Sequence, residues 1–214
     1  LMLYGLIGAS GSGKTTLATM VADTMGIQFV ETSITKSAAK HGFAAVGSLD
    51  LHDRLTLQHH LLEDFVKLIG RCERPAILDR TPIDMIAYLL CEFGMHSHKS
   101  VSDADLVKVE KYVECCLDVT STNFDHVFFV NQLDFYEVKE TRPAVNPAYT
   151  LHTETVMRGA LARLALDTQA RSWILDEPYD ALDVAGIAAL DELLERWRAA
   201  GVLGMLVATA REAA

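Results

Sequence analysis

Short apolar runs of strand length alternate along the chain with longer stretches whose apolar positions recur every three or four residues. "LMLYGLIGAS" (1–10) is apolar and ends in a Gly-rich turn, which predicts a strand. "KTTLATMVADTMG" (14–26) sets Leu17, Val21 and Met25 at helical spacing and stops at Gly26. "IQFVETS" (27–33) predicts a second strand, followed by a short helix and loop over 34–46. A long amphipathic helix covers 51–72, with Leu55, Leu61, Leu62, Phe65, Leu68 and Ile69 among its apolar positions. "PAILD" (75–79) reads as a short buried strand, and 82–94 as a helix opened by Pro82 and closed by Gly94. There follow a helix over 103–120 capped by Ser102, a strand over 126–130 and a polar, lid-like segment over 131–150. A helix over 151–166, a strand over 172–176, a helix over 185–201 and an edge strand over 202–208 complete the pattern. Strands alternating with helices predict a mostly parallel sheet with helices on both faces.

Composition narrows the partners. The 214 residues are 50% apolar, enough for one domain spanning 1–214 with a substantial core. The formal net charge of −10 does not suit a general electrostatic DNA binder, and it suits a small anionic substrate gripped by a few arginines. Cys72, Cys91, Cys115 and Cys116 show no C-x-x-C spacing, so reduced thiols and a cytoplasmic location are expected. No signal peptide and no apolar run of membrane-spanning length is read, so no membrane partner is expected.

"GASGSGKT" (8–15) changes the picture most. It fills every fixed position of G-x-x-x-x-G-K-[ST], with a predicted strand before it and a helix after it. Gly8, Gly11 and Gly13, with Ser10 and Ser12, let consecutive backbone N–H groups turn toward phosphate oxygens. The helix that follows adds its positive end, beginning at Lys14, Thr15 and Thr16. Lys14 is placed to reach the β- and γ-phosphates and Thr15 to bind Mg²⁺. The fold class expected is therefore α/β, a three-layer P-loop NTPase with a mostly parallel five-stranded sheet.

Such a site needs an acid at the end of a neighbouring strand, and the chain offers two. "SWILDEPYDALD" (172–183) carries Asp176 and Glu177 in the manner of ATP-binding-cassette proteins, but "YTLHTETV" and "MLVATARE" stand where the companion motifs would be. "VNQLD" (130–134) echoes a guanine reader with Gln132 in place of its lysine. "AILDRTPID" sets Asp79 beside Arg80 at the end of the third strand. Asp79 there can hold Mg²⁺ or accept a proton, and Arg80 can bind the transferring phosphoryl group or an acceptor phosphate. Arg54 on the long helix is a candidate for acceptor phosphate or for a surface ion pair with Asp50.

"GASGSGKTTLA", "GIQFVETSITKSA", "ILDRTPIDMIAYLL" and "RPAVNPAY" together resemble the P-loop nucleotide-kinase-like proteins of phages and bacteria, akin to nucleoside monophosphate and deoxynucleoside kinases. The resemblance covers about residues 2–166. It implies a Mg·ATP donor, an acceptor site between strands two and three formed by a helical region over about 32–72, and a closing lid. Carried over by position, Lys14 and Thr15 match the phosphate and Mg²⁺ residues, and Glu31 matches the acid ending the second strand. Asp79 and Arg80 match the Asp-Arg pair, and Arg142 falls where lid arginines occur. The lid departs from the adenylate-kinase pattern in holding only Lys139 and Arg142 as basic residues. The acceptor implied is a nucleoside or its monophosphate. Some relatives phosphorylate hydroxymethylated pyrimidines within DNA, which makes a DNA base the second acceptor class, and the third reading is a non-catalytic NTP-binding module.

His52, His59 and His60 share a helix face but lack the further ligands a metal would want. Phe128 and Phe129 read as core, and the stripe Ile187, Leu190, Leu194 and Trp197 as packing on its own sheet rather than a homodimer contact.

Overall fold

The computed structural model describes residues 2–43, 49–93, 101–132, 146–167, 172–176 and 203–207. Contacts divide the chain into two compact units, Leu1–Arg163 and Leu164–Ala214.

The first unit is built on a sheet of β1 (Leu3–Ile7), β2 (Gln28–Val30), β3 (Ala76–Leu78) and β4 (His126–Phe129) in the order β2-β3-β1-β4. All three pairings are parallel, with Tyr4 opposite Ile77, Leu6 opposite Phe128 and Phe29 opposite Ile77. The central strands β1 and β3 are therefore neighbours, so the turns leaving their carboxyl ends lie side by side where ligands bind in such sheets. Helices α1 (Lys14–Met25), α2 (Ile34–Lys40), α3 (Leu51–Ile69), α4 (Pro82–Phe93) and α5 (Asp103–Asn123) fall between the strands, and α6 (Pro147–Asp167) follows β4. This is a three-layer α/β P-loop NTPase fold.

The buried face of α1 differs from the one its large residues suggest. Leu17 is 41% and Met25 58% exposed, while Ala18 and Ala22 are buried against Leu6 and Ile77. Small side chains let the helix axis approach the sheet closely, Val21 packs partly buried against the same cluster, and Leu17 and Met25 are left outside. Gly26 ends the helix in the left-handed region at φ 64°, donating its N–H to Ala22 O. On α3 the expected stripe is buried at Leu55, Leu61, Leu62, Phe65 and Ile69, joined by Leu51 and Leu57. Its cap is Asp50, whose carboxylate accepts the Asp53 N–H at 2.8 Å. Helix α5 opens with a reciprocal Ser102–Asp105 capping box and runs three residues beyond the predicted end.

Strand β4 is half-buried throughout, and Phe129 is not core: the Arg158 guanidinium lies 4.0 Å from its ring centroid. Cys91 and Cys116 are buried and Cys72 is partly so, whereas Cys115 is exposed, and all four are free thiols.

The second unit holds β5 (Ser172–Asp176) and β6 (Leu203–Val207), paired in parallel with Leu175 opposite Leu206. The expected five-stranded sheet is thus a described four-stranded sheet and, separately, a two-stranded one. The predicted helix over 185–201, most of the lid with Lys139 and Arg142, and Glu177 lie outside the described residues.

Candidate functional site

The loop after β1 has the backbone shape its glycines predict. A Cβ on Gly8 would stand 2.4 Å from Val130 O and 3.0 Å from Ser12 Oγ, so only glycine fits between the first turn of the loop and the end of β4. Gly11 and Gly13 sit at φ 87° and 86°, in the left-handed region. Gly13 O accepts the Leu17 N–H at 2.9 Å, which starts α1 directly behind the loop. Ser12 is buried, while Ser10, Thr15 and Thr16 are exposed at its rim.

Lys14 is 6% exposed and donates to two carbonyls of its own loop, Gly8 O at 2.6 Å and Ala9 O at 2.8 Å. Burial holds its ammonium below the ordinary lysine value. Asp84 is the largest opposing influence, and Asp79 and Glu154 add to it.

Asp79 joins three segments. Its Oδ2 accepts the Thr15 hydroxyl at 2.7 Å, and its Oδ1 accepts both the Thr32 N–H at 3.0 Å and the Thr32 hydroxyl at 2.7 Å. The carboxylate is 5% exposed, so these three bonds stabilise a buried anion. A hydroxyl and a carboxylate side by side at the mouth of a phosphate loop are hard oxygen donors, the set that suits Mg²⁺. Asp79, one of the two candidate acids, is thus bonded to Thr15, while the side chain of Asp176 lies outside the described residues.

The remaining sequence candidates distribute as follows. Glu31 is exposed at the end of β2, next to buried Thr32. Arg80 is half-buried with its guanidinium 5.8 Å from the centroid of the Tyr88 ring. Burial raises the Tyr88 phenol above its usual value, with Arg80 opposing. Arg54 is not a surface residue paired with Asp50. It is 7% exposed and its Nε is ion-paired with Glu92 of α4. Asp50 is engaged as the α3 cap, and the inward stripe of α3 carries Arg54 and Gln58 together, where Gln58 Oε1 accepts the Tyr112 hydroxyl at 3.1 Å. Lys40 and His41 are also engaged, both on Asp64, which further accepts the Ser37 hydroxyl at 2.7 Å. Among the described residues no group of three or more His, Cys, Asp or Glu could hold a metal ion. His60 instead stacks on His41, with ring centroids 4.2 Å apart, and His59 meets Tyr112 edge-on.

Sequence reasoning missed Asp84, which is 1% exposed and whose charge is felt by Lys14 and Arg80. Its signal was present in Thr81-Pro-Ile-Asp84, a capping-box spacing. It also missed Glu154 and Arg158 of α6. The latter donates to Asn131 Oδ1 at 2.6 Å, which engages the residue that resembled a guanine reader.

Known proteins bear on this loop and sheet. A family model described as an AAA domain matches residues 4–169. The chain belongs to this family. Among solved structures, this AAA-domain protein is similar to deoxyadenosine kinase from M. mycoides with bound dCTP, at TM-score 0.52 and 15% identity over 91% of this chain and 100% of that one. The same kinase with bound dATP gives TM-score 0.54, again at 15% identity over 91% of this chain and 100% of that one. At that identity the likeness is one of fold. Among curated proteins it is 49% identical over 57 residues to the cytochrome c biogenesis ATP-binding export protein CcmA of Alcanivorax borkumensis, 27% of this chain and 26% of that protein. The CcmA of Methylococcus capsulatus is 49% identical over 67 residues, 31% of each chain. The AAA-domain protein thus spans about a quarter to a third of the length of these curated relatives. No described helix is long and apolar enough to cross a membrane.

Proposed function

We propose that the protein is a Mg²⁺- and ATP-dependent phosphotransferase that moves the γ-phosphoryl group of ATP to a nucleoside or nucleoside monophosphate, acting in the cytoplasm. The observation that carries the reading is the bond from Thr15 to Asp79, with Arg80 as the next residue. A hydroxyl and a carboxylate side by side at the mouth of one phosphate loop, with a cation next in the chain, support the reading of Thr15 and Asp79 as a metal-holding pair.

The N–H groups of 8–15 and the start of α1 would cradle the donor phosphates. Lys14 would exchange its loop carbonyls for phosphate oxygens. Thr15 and Asp79 would hold the metal, which when bound neutralises charge on the phosphates. Arg80 would meet the transferring group. A nucleoside hydroxyl would give its proton to Glu31 or Asp79 as its oxygen bonds to the γ-phosphorus, whereas a monophosphate would attack through an ionised phosphate oxygen with no proton to lose. The bond from that phosphorus to the β–γ bridging oxygen breaks, and ADP leaves with the electron pair. Glu31, Arg80 and α3 with Arg54 line the acceptor side in this reading, and Arg142 belongs to the lid that would exclude water.

A second reading, a cassette-type ATPase, is favoured by the matches to CcmA export proteins. It ranks second because the bond from the loop threonine to Asp79, followed by Arg80, supports the kinase reading.

The test is γ-labelled ATP offered with nucleosides, monophosphates, and plain or hydroxymethylated DNA. Label on a nucleoside or monophosphate supports the proposal. Label on hydroxymethylated DNA alone moves the acceptor to the polymer. Release of phosphate with no labelled acceptor refutes the kinase reading and favours the ATPase.

A further inference from the structure

Asp84 does more than capping requires. Its Oδ2 accepts the Thr81 N–H at 2.9 Å, while the Thr81 hydroxyl accepts the Ile83 N–H at 3.2 Å, so the first turn of α4 is capped from both sides. That cap needs one carboxylate oxygen. The other, Oδ1, is fully buried with no partner at hydrogen-bonding distance, the Gly8 N–H acting on the carboxyl only from farther off. An unengaged carboxylate oxygen in a dry interior is destabilising, a penalty that a neutral capping residue would avoid.

The charges facing Asp84 explain why a carboxylate stands there. Burial raises it above the ordinary aspartate value, and the groups that oppose this are, in order, Lys14, Arg80 and the N–H groups of Thr81 and Gly8. Tyr88 lies one helical turn beyond Asp84 and also feels both Asp84 and Arg80. Three elements converge: the phosphate loop through Gly8 and Lys14, the end of β3 through Arg80, and α4 through Asp84 and Tyr88.

We propose that Asp84 is a positioning residue for phosphoryl transfer, whose unengaged oxygen orients the Lys14 ammonium and the Arg80 guanidinium toward the transferring group. The inference rests on the phosphotransferase reading. Two cations brought to one phosphoryl group repel each other, and a carboxylate behind them offsets that repulsion. Asp84 Oδ1 takes no hydrogen bond from either cation, so it acts on them through charge and leaves their donors for phosphate oxygens. Asp84 touches no reacting atom in this scheme.

The test is Asp84→Asn, which keeps the shape and an oxygen for the Thr81 N–H while removing the charge. Asp84→Ser serves as a second chargeless variant. Acceptor-dependent kcat should fall by about tenfold or more. The ADP dissociation constant should stay within about threefold of wild type or decrease, because a negative charge beside the phosphates is gone. Thr81→Ala, which damages the same cap but keeps the charge, should lower the melting temperature and leave kcat within about twofold. Turnover in Asp84→Asn within about twofold of wild type would overturn the inference. So would a joint loss of ADP affinity, turnover and melting temperature in both chargeless variants, the pattern of a purely structural residue. Wild-type protein that labels no acceptor refutes the phosphotransferase reading and this inference together, whereas an active wild type with an equally active Asp84→Asn refutes the inference alone.

Discussion

Replacing Asp79 by Asn tests the whole arrangement, because three bonds and a charge rest on that carboxylate. An Asn oxygen turned toward Thr32 can keep the bonds now 3.0 and 2.7 Å long at Oδ1. Its amide nitrogen then faces the Thr15 hydroxyl and cannot accept from it as Oδ2 does at 2.7 Å. One hydrogen bond to a buried charge is lost, about 1.5–3 kcal/mol. The same change removes the anionic half of the metal-holding pair. If the transition state feels a loss of about 3–4 kcal/mol, turnover falls by about two to three orders of magnitude. The assay is label transfer from γ-labelled ATP over a Mg²⁺ titration, with melting temperature followed in parallel. Asp79→Asn should stay folded, lose turnover, and need more Mg²⁺ for what activity is left. Asp176→Asn, made beside it, should leave transfer within about twofold of wild type. Loss of transfer in Asp176→Asn with an unaffected Asp79→Asn would refute the assignment of the working acid.

Two further predictions concern stability. Gly8→Ala should destabilise the fold by about 2–4 kcal/mol in urea titration and abolish ADP binding, since its Cβ would stand 2.4 Å from a backbone oxygen that β4 holds in place. Asp64 is held below the usual carboxylate range, first by the Lys40 bond and then by Ser37 and His41. Its folded-state value is below its unfolded value, so its contribution is present above about pH 4 and is lost as pH falls further. The urea midpoint of wild type should therefore drop more steeply below about pH 4 than that of Asp64→Asn, and parallel curves would refute the latch between α2 and α3.

The phosphate loop was legible because its chemistry is local: fixed glycines, a lysine and a threonine, with a strand before and a helix after. Asp79 was legible as the acid ending a strand that runs parallel to β1. The face of α1 was read correctly at Val21 and misread at Leu17 and Met25, because a periodicity argument weights large residues above Ala18 and Ala22, whereas close helix–sheet packing selects for small volume. The partner of Arg54 could not be read at all. Glu92 is 38 positions away in the sequence and meets Arg54 only where α3 packs on α4. Asp84 was hidden for a related reason. Its spacing announces a cap, but burial and an unengaged oxygen are properties of the assembled core.

The Asp79 carboxylate has one oxygen on the loop side and the other on the strand that leads to Glu31. A rotation of that one group displaces Thr15 and Thr32 at once. In the proposed reaction, a nucleotide that pulls on Thr15 would be felt at Thr32, the neighbour of Glu31, and the reverse would hold by thermodynamic linkage. The two ligands of such a site should therefore bind non-independently, each altering the affinity of the other by the same factor, with a single side chain as the coupling element.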